Sequence, residues 1–124
     1  MVLRTCRRLR LIGVDRSTHK VVVFHGGSGD RRLYYWRDCV TGADDSPTIM
    51  GSFYTTGCKG DSLDTDSRAI YCTQIWGGCF FHSVLNSEEG LGQSLSLGCI
   101  RMGWGAAAWI HDNIWVGTKV VICN

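Results

Sequence analysis

Short runs in which apolar and polar residues alternate make up most of the chain. Many of these runs carry β-branched and aromatic side chains, and their period of two is that of a β-strand with one buried face. Polar or glycine-rich groups such as 15–18 and 77–78 separate neighbouring runs and are typical of tight turns between antiparallel strands. The pattern predicts strands over residues 9–14, 20–24, 32–40, 52–56, 69–75, 79–85 and 119–123, several of them paired as hairpins.

One segment, 104–113, has the period of a helix instead. Ala106, Trp109, Ile110 and Asn113 recur three or four residues apart, so they share one side of a helix. Gly117 then predicts a turn before the last strand. We therefore predict a mostly β fold with one short helix near the end of the chain.

The composition is that of a single globular domain. The chain has 124 residues, of which 44% are hydrophobic and 19% charged, and this length allows a hydrophobic core of its own. The formal net charge of +2 is too small to indicate nucleic acid, and no apolar run is long enough to cross a membrane. Because arginines crowd the first ten residues, we predict a basic, solvated lead-in at 1–10 and a folded domain at 11–124.

Seven cysteines are the most unusual feature of the composition, and they are Cys6, Cys39, Cys58, Cys72, Cys79, Cys99 and Cys123. Such a density is typical of exported domains that are cross-linked by disulfides, and it is rare in cytosolic chains. Because seven is odd, at least one thiol stays unpaired within a monomer. We expect three disulfides, in a pattern that the sequence leaves open, and one free thiol. No secretory signal is visible in this sequence.

Cys99 and His82 are the candidate pair for thiol catalysis. A thiolate is the nucleophile in such chemistry, and an imidazole within hydrogen-bond reach removes the thiol proton. Cys99 follows Gly98 in a short segment that leads to the predicted helix, whose N-terminus is expected to lower the thiol pKa. Backbone N–H groups around Gly98 and Cys99 are candidates for an oxyanion hole. Taken alone, the pair also fits one half of a disulfide beside an ordinary histidine.

The order of residues around this pair resembles a known enzyme family. His82 precedes, after a loop, the run Ser96-Leu97-Gly98-Cys99-Ile100-Arg101. This order resembles the His…Ser/Thr-His-Gly-Cys motif of L,D-transpeptidases of the YkuD type. The likeness begins near Leu11, is densest after Phe81, and includes the segments 20–24, 47–48, 51–53, 108–110, 112–113 and 117–122.

The resemblance implies a mixed, mostly β-sandwich with a short helix after the nucleophile, and a reaction on peptides of the bacterial cell wall. Cys99 is expected to attack the carbonyl between the third residue and D-Ala of a stem tetrapeptide. His82 is expected to act as base and then as acid to the departing D-Ala. The backbone carbonyl of Ser83 is expected to hold the imidazole. An amine of a second stem then resolves the thioester and cross-links the two stems.

Other residues and partners follow from the same resemblance. Arg101 is expected to anchor a substrate carboxylate or, as we prefer, to brace the Cys99 loop. Ser96, Trp76 and Phe81 are expected to contact the substrate. The partners are peptidoglycan stem peptides and carbapenem-type inhibitors, without a cofactor or metal. The domain is expected to be a monomer outside the cytoplasm, in the cell wall or periplasm.

Leu97 departs from the family motif, which usually has a histidine at this place. The loss of a second imidazole beside the thiol removes a proton relay or an orienting group, so two other functions stay open. If water replaces the amine, the domain is an L,D-carboxypeptidase. If the chemistry has lapsed, it is a disulfide-stapled module that binds the cell wall through an aromatic platform of Trp36, Trp76 and Trp104.

A zinc site is the least favoured alternative. Cys79 and His82 form one close ligand pair, which Cys99 or His111 could complete. Structural zinc sites usually contain two such close pairs, and the sequence has only this one.

Overall fold

The computed structural model describes residues 10–26, 29, 31–62, 68–84 and 90–124. Within these ranges it contains one helix, which is too short to span a membrane. In chain order the elements are β1 (Arg10–Asp15), β2 (Lys20–His25), β3 (Arg32–Gly42), β4 (Gly51–Tyr54), β5 (Lys59–Ser62), β6 (Ala69–Trp76), β7 (Cys79–Val84), β8 (Ser94–Ser96), β9 (Ile100–Met102), α1 (Trp104–Asn113) and β10 (Lys119–Cys123).

The strands form one curled sheet in the order β4-β10-β1-β2-β3-β9-β7-β6-β5, and β8 pairs separately with β3. Most neighbours are antiparallel, but the pairs β1–β10, β3–β8 and β7–β9 are parallel. The pairs β1–β10 and β7–β9 arise because a later strand, β10 or β9, inserts between earlier ones. The insertion of β9 between β3 and β7 brings the segment after Cys99 into the middle of the sheet.

Alternate strand residues point into one apolar core. On β1 the buried side chains are Ile12 and Val14, two residues apart, and α1 adds Ala107 and Ile110 from its buried face. Full burial of such an aliphatic side chain stabilises a protein by about 1.5–3 kcal/mol. The same core includes side chains of β7, which carries His82, and of β9, which follows Cys99. Both strands are therefore packed into the core.

The mostly β fold with one short helix is confirmed. All seven predicted strands are present with shifts of one or two residues at their ends, and the predicted helix has the observed bounds. The prediction lacks β5, β8 and β9, which are four, three and three residues long. Strands this short contain too few alternations of polarity to stand out, and they form because their neighbours offer unpaired backbone groups.

Arg10 is the first residue of β1, and its side chain contacts other parts of the fold. Its Nε donates to Nε2 of His25 at 2.8 Å, and its guanidinium also donates to the backbone carbonyl of Asn113. The same guanidinium lies 5.5 Å from the ring centre of Trp109. Burial and, secondly, the charge of Arg10 lower the pKa of His25. Residues 1–9, the rest of the predicted lead-in, lie outside the described residues.

The three expected disulfides are not found among the described residues, where all six cysteines are free thiols. Cys39, Cys72 and Cys79 are buried on three different strands, and none of them lies opposite another cysteine in the sheet. A buried thiol packs as a small hydrophobic group. Burial raises the pKa of Cys39 and of Cys79 to about 12, which keeps both uncharged. The seventh cysteine, Cys6, lies outside the described residues.

Candidate active site

Cys99 lies in the turn between β8 and β9, and Ser96 holds this turn together. Ser96 Oγ donates to the Cys99 carbonyl at 2.6 Å and accepts the Gly98 N–H at 3.2 Å. Gly98 has a φ of +122°, in the region that favours glycine. The Ser96 hydroxyl, which was expected to contact substrate, is therefore engaged within the turn. The Gly98 N–H, a candidate for the oxyanion hole, is engaged there as well.

The Cys99 thiol lies against the turn between β6 and β7. Its Sγ donates to the Gly78 carbonyl at 3.2 Å, and the sulfur accepts the backbone N–H of Phe80. Burial raises the pKa of the thiol, and the Phe80 hydrogen bond partly opposes this rise. The predicted lowering by a helix N-terminus is therefore wrong, because β9 separates Cys99 from the start of α1. The thiol is neutral in this state and needs a base before it can react.

His82 is a buried residue of β7, and its imidazole is held by the backbone. Nδ1 of His82 donates to the Ser83 carbonyl oxygen at 3.0 Å, which confirms the contact that the family resemblance implied. A carbonyl oxygen only accepts hydrogen bonds, so Nδ1 carries the proton of the neutral imidazole. The lone pair of Nε2 is then the basic position. This tautomer is the one required of a general base that is oriented through Nδ1.

The register between β7 and β9 brings His82 and Cys99 near each other. His82 lies opposite Arg101 in this parallel pair. When this register is continued one residue before β9, Phe80 comes opposite Cys99, and the hydrogen bond from the Phe80 N–H to the Cys99 sulfur agrees with this placement. Alternate residues of a strand point to the same face and are about 7 Å apart. From this register we expect the thiol to lie about one pleat from the imidazole along β7.

Arg101 extends along the loop that enters β8. A Cβ built at Gly90 would lie 2.9 Å from a terminal nitrogen of Arg101 and 2.8 Å from Leu95 Cδ1, so the guanidinium passes directly over that glycine. Glycine leaves room for the ends of these two side chains, and its φ of +77° is in the region that favours glycine. This contact lies in the loop before β8 and not in the Cys99 turn, so the role expected of Arg101 stays a prediction.

Two large apolar side chains are exposed in the segments that carry or contact the Cys99 thiol. Trp76 is 63% exposed at the end of β6, directly before the turn that accepts the thiol hydrogen bond. Leu97, in the Cys99 turn, is 91% exposed. The Trp76 ring also lies 6.3 Å from that of Phe53, centre to centre. A substrate contact by Trp76 fits this exposure and stays a prediction.

Phe81 does not belong to the site, which corrects its expected contact with substrate. Its side chain is 0% exposed and belongs to the central core cluster. Strand alternation explains the error: the residues next to it, Phe80 and His82, point to the opposite face from Phe81. In the described part of the chain, no three His, Cys, Asp or Glu side chains come together as a metal site would require.

Thr48 is a residue of the site that the sequence reasoning missed. Its Oγ1 donates to the carbonyl oxygen of Gly98, the residue before Cys99, at 2.9 Å. Thr48 lies fifty positions away in the chain, in the segment between β3 and β4. The pair Pro47-Thr48 was part of the family resemblance, and that was the only signal in the sequence.

Comparison with known proteins identifies the family. The chain matches YkuD, the L,D-transpeptidase catalytic domain, over residues 9–122. The chain belongs to the YkuD family. This match confirms the resemblance seen in the residues around His82 and Cys99. It also extends the resemblance from those residues to nearly the whole chain. No curated protein sequence matches this YkuD domain.

Solved structures share the fold of this YkuD domain. A fused Zn-dependent amidase/peptidase/peptidoglycan-binding domain-containing protein from Clostridium acetobutylicum is 37% identical with a TM-score of 0.76, and the match covers 91% of this chain and 51% of that one. The L,D-transpeptidase LdtMt1, solved in complex with imipenem, is 25% identical with a TM-score of 0.79 over 91% and 58% of the two chains.

An L,D-transpeptidase from Mycobacterium smegmatis shares the fold at 22% identity, with a TM-score of 0.75 over 91% of this chain and 58% of that one. The YkuD domain thus spans between half and three fifths of the length of these three solved relatives.

Proposed function

We propose that this YkuD domain is an L,D-transpeptidase that uses Cys99 as its nucleophile on peptidoglycan stem peptides. The observation that carries the proposal is the hydrogen bond from His82 Nδ1 to Ser83 O on the strand beside Cys99. It leaves Nε2 as the basic nitrogen within about one pleat of the thiol. Membership of the YkuD family supplies the reaction class. A domain with this substrate would act outside the cytoplasm.

The first half of the reaction is acylation of Cys99. Nε2 of His82 takes the thiol proton, and the sulfur attacks the carbonyl between the third residue and D-Ala of a stem tetrapeptide. The carbon–nitrogen bond to D-Ala breaks, and His82 returns the proton to the departing amine. The thiol leaves its hydrogen bond to the Gly78 carbonyl during this step, and apo hydrogen bonds of this kind commonly rearrange when substrate binds.

The second half resolves the thioester. The amine of another stem attacks the acyl carbon and loses its proton to His82. The carbon–sulfur bond breaks, and His82 passes this proton to the departing sulfur, which restores the thiol. The product is an amide that joins two stems. Exposed Trp76 is suited to hold the apolar parts of a stem peptide beside the thiol, because an indole offers a large and rigid contact area.

The residue at position 97 favours the alternative in which the chemistry is slowed or lost. Leu97, two residues before Cys99, is exposed and aliphatic where the family motif usually has a histidine. An enzyme that has lost part of its proton transfer would be slower, or it would bind stem peptides without turning them over. Hydrolysis of the thioester by water, giving L,D-carboxypeptidase activity, is the other outcome of the same acyl-enzyme.

Intact-mass spectrometry after incubation with imipenem tests the proposal. The parent protein should gain the mass of one imipenem-derived acyl group, and Cys99→Ala should gain none. Cys58→Ala is the matched control, because it removes another thiol, one that is exposed. This control variant should be acylated like the parent. A folded parent without an adduct would contradict the enzymatic function and favour a binding module.

A second assay separates transfer from hydrolysis. A stem tetrapeptide is incubated with the protein, with and without an acceptor stem, and the products are resolved by mass. Release of D-Ala with a joined product only when the acceptor is present supports the transpeptidase. D-Ala release with a free tripeptide, whether or not the acceptor is present, would establish the carboxypeptidase instead.

A further inference from the structure

Thr48 has its single hydroxyl proton directed by two backbone groups. The Gly42 N–H donates to Thr48 Oγ1 at 2.9 Å, and Oγ1 donates to Gly98 O at 2.9 Å. The Thr48 residue is 1% exposed. Because the Gly42 N–H occupies an acceptor position of Oγ1, the hydroxyl proton points to Gly98. The three groups form a fixed chain from the end of β3 to the residue before Cys99.

Holding Gly98 O fixes the orientation of the next peptide group. The carbonyl of Gly98 and the N–H of Cys99 belong to one planar trans peptide, so they point in opposite directions. Gly98 has a φ of +122°, and a glycine has little intrinsic preference against rotation of this peptide. The Thr48 hydrogen bond is therefore a restraint on the Cys99 N–H as well as on the carbonyl.

Thr48 itself is anchored from outside the turn. The guanidinium of Arg16 donates to the Thr48 carbonyl. On the other side, a Cβ at Gly42 would lie only 2.1 Å from Ser46 O and 2.5 Å from Thr48 N, so the backbones of 42 and 46–48 are in direct contact. These contacts keep the Thr48 hydroxyl in place against Gly98.

We infer that Thr48 is a positioning residue that sets the Gly98–Cys99 peptide plane, and thereby directs the Cys99 N–H toward the oxyanion formed during acylation. This inference rests on the proposed nucleophilic role of Cys99. Donors aimed at a developing oxyanion contribute strongly to acyl transfer, and their loss costs on the order of 100-fold or more in rate. An alkylation by iodoacetamide forms no oxyanion, so it depends on the thiol alone.

The test compares two reagents on three variants made in a Cys6→Ala, Cys58→Ala, Cys123→Ala background. This background removes the two thiols that are exposed in the described part of the chain and Cys6, which lies outside it. The variants are Thr48→Val, Thr48→Ser and Thr55→Val. Thr55 is the matched control: it is 3% exposed, its Oγ1 donates to Trp115 O at 2.7 Å, and Oγ1 accepts the Thr118 N–H at 3.0 Å. The rates of imipenem acylation and of iodoacetamide alkylation at Cys99 are measured by intact mass.

Thr48→Val should slow imipenem acylation by roughly 10–100-fold, since misplacement of a reacting group by about 1 Å costs on the order of 100-fold. It should leave iodoacetamide alkylation within about threefold of the parent, because the thiol keeps its surroundings. Thr48→Ser should restore acylation, and Thr55→Val should match the parent with both reagents. Thr48→Ala replaces the valine variant if the latter does not fold.

Equal acylation rates in Thr48→Val and Thr55→Val would overturn the inference while leaving the proposed function intact. Equal slowing by both reagents would also overturn it, because the thiol and not the peptide plane would then be affected. A parent protein that takes no imipenem would overturn the proposed function and the role of Thr48 with it.

Discussion

Nδ1 of His82 lies 3.0 Å from the carbonyl oxygen of Ser83, the next residue along β7. The bond is local, so the strand that carries the imidazole also fixes its tautomer. In the proposed mechanism the Ser83 carbonyl would orient the ring through Nδ1, as a carboxylate does in a Ser-His-Asp triad. Because the holding group is a backbone carbonyl, substitution of His82 removes the basic nitrogen Nε2 and leaves the Ser83 carbonyl in the chain.

His82→Gln should abolish most of the acylation at Cys99 while the protein stays folded. General base catalysis by a positioned side chain contributes about 10²–10⁴-fold, so imipenem acylation near pH 7 should fall by a factor in this range. The remaining rate should rise with pH as hydroxide takes over deprotonation of a thiol whose pKa is raised by burial. His111→Gln, in the last turn of α1 where the ring contacts the Asp112 carboxylate, is the control and should react like the parent. An unchanged rate in His82→Gln would exclude this imidazole as the base.

Leu97→His restores the residue that is usual in the family motif at a position that is 91% exposed. Surface substitutions usually change stability by no more than about 0.5 kcal/mol, so the thermal midpoint should stay the same. The acylation rate should rise by about tenfold, less than the 10²–10⁴-fold of a primary base, because the added imidazole assists proton transfer. Leu97→Gln controls for polarity. If both variants react like the parent, position 97 takes no part in the chemistry.

Gly42→Ala should be strongly destabilising. Its Cβ would lie 2.1 Å from Ser46 O, 2.5 Å from Thr48 N and 2.7 Å from the Pro47 carbonyl carbon, all of them backbone atoms that cannot turn away. Overpacking of this kind costs about 3 kcal/mol, to be measured as the free energy of unfolding in urea.

Gly105→Ala is the opposite case in the same assay. No heavy atom lies within 4 Å of a Cβ at this position in α1, so alanine should stabilise the helix by about 0.5–1 kcal/mol. Equal effects of the two substitutions would show that the close approach at Gly42 is not rigid.

Asp15 makes the stability of the β1–β2 hairpin depend on acid. Its Oδ1 accepts the Ser17 hydroxyl at 2.7 Å and the Ser17 N–H at 2.9 Å. These hydrogen bonds, with those from Thr18, lower the pKa of Asp15 from 3.8 to about 2. A lowered folded-state pKa means that the contribution is complete above about pH 4 and is lost as the pH falls through 2.

Asp15→Asn should therefore lower the thermal midpoint at pH 5–7, and its difference from the parent should shrink as the pH falls from 4 to 2. Asp45→Asn, at an exposed carboxylate, should show no such trend. A constant difference between parent and Asp15→Asn across this pH range would mean that the charge of Asp15 is not the cause.

The sequence predicts the elements with long periodic patterns and not their arrangement. The helix over 104–113 was predicted to the residue, because four of its positions recur at helical spacing. The insertion of β9 between β3 and β7 has no local signal, since a three-residue strand depends on what lies beside it. The sequence therefore did not show which face of β7 packs into the core. Phe81 was assigned to the site for this reason, although its side chain is in the core.

The candidate pair was predicted from residue types and family resemblance, whereas the support around it required coordinates. Contacts such as Thr48 to Gly98 join residues that are fifty positions apart, and only the folded chain brings them together. The thiols were misjudged for a related reason. Cysteine density suggests disulfides, but a buried cysteine packs like any small apolar residue, and sequence does not distinguish the two.

The parallel pairing of β1 with β10 determines how the domain would respond to mechanical tension. Five residue pairs, from Leu11 with Lys119 to Asp15 with Cys123, join the first described strand to the last. Because the strands are parallel, the chain enters the pair at one end and leaves it at the other. A force applied across the two ends loads all the hydrogen bonds of this pair in shear at once, and they must break together before the rest of the sheet unravels.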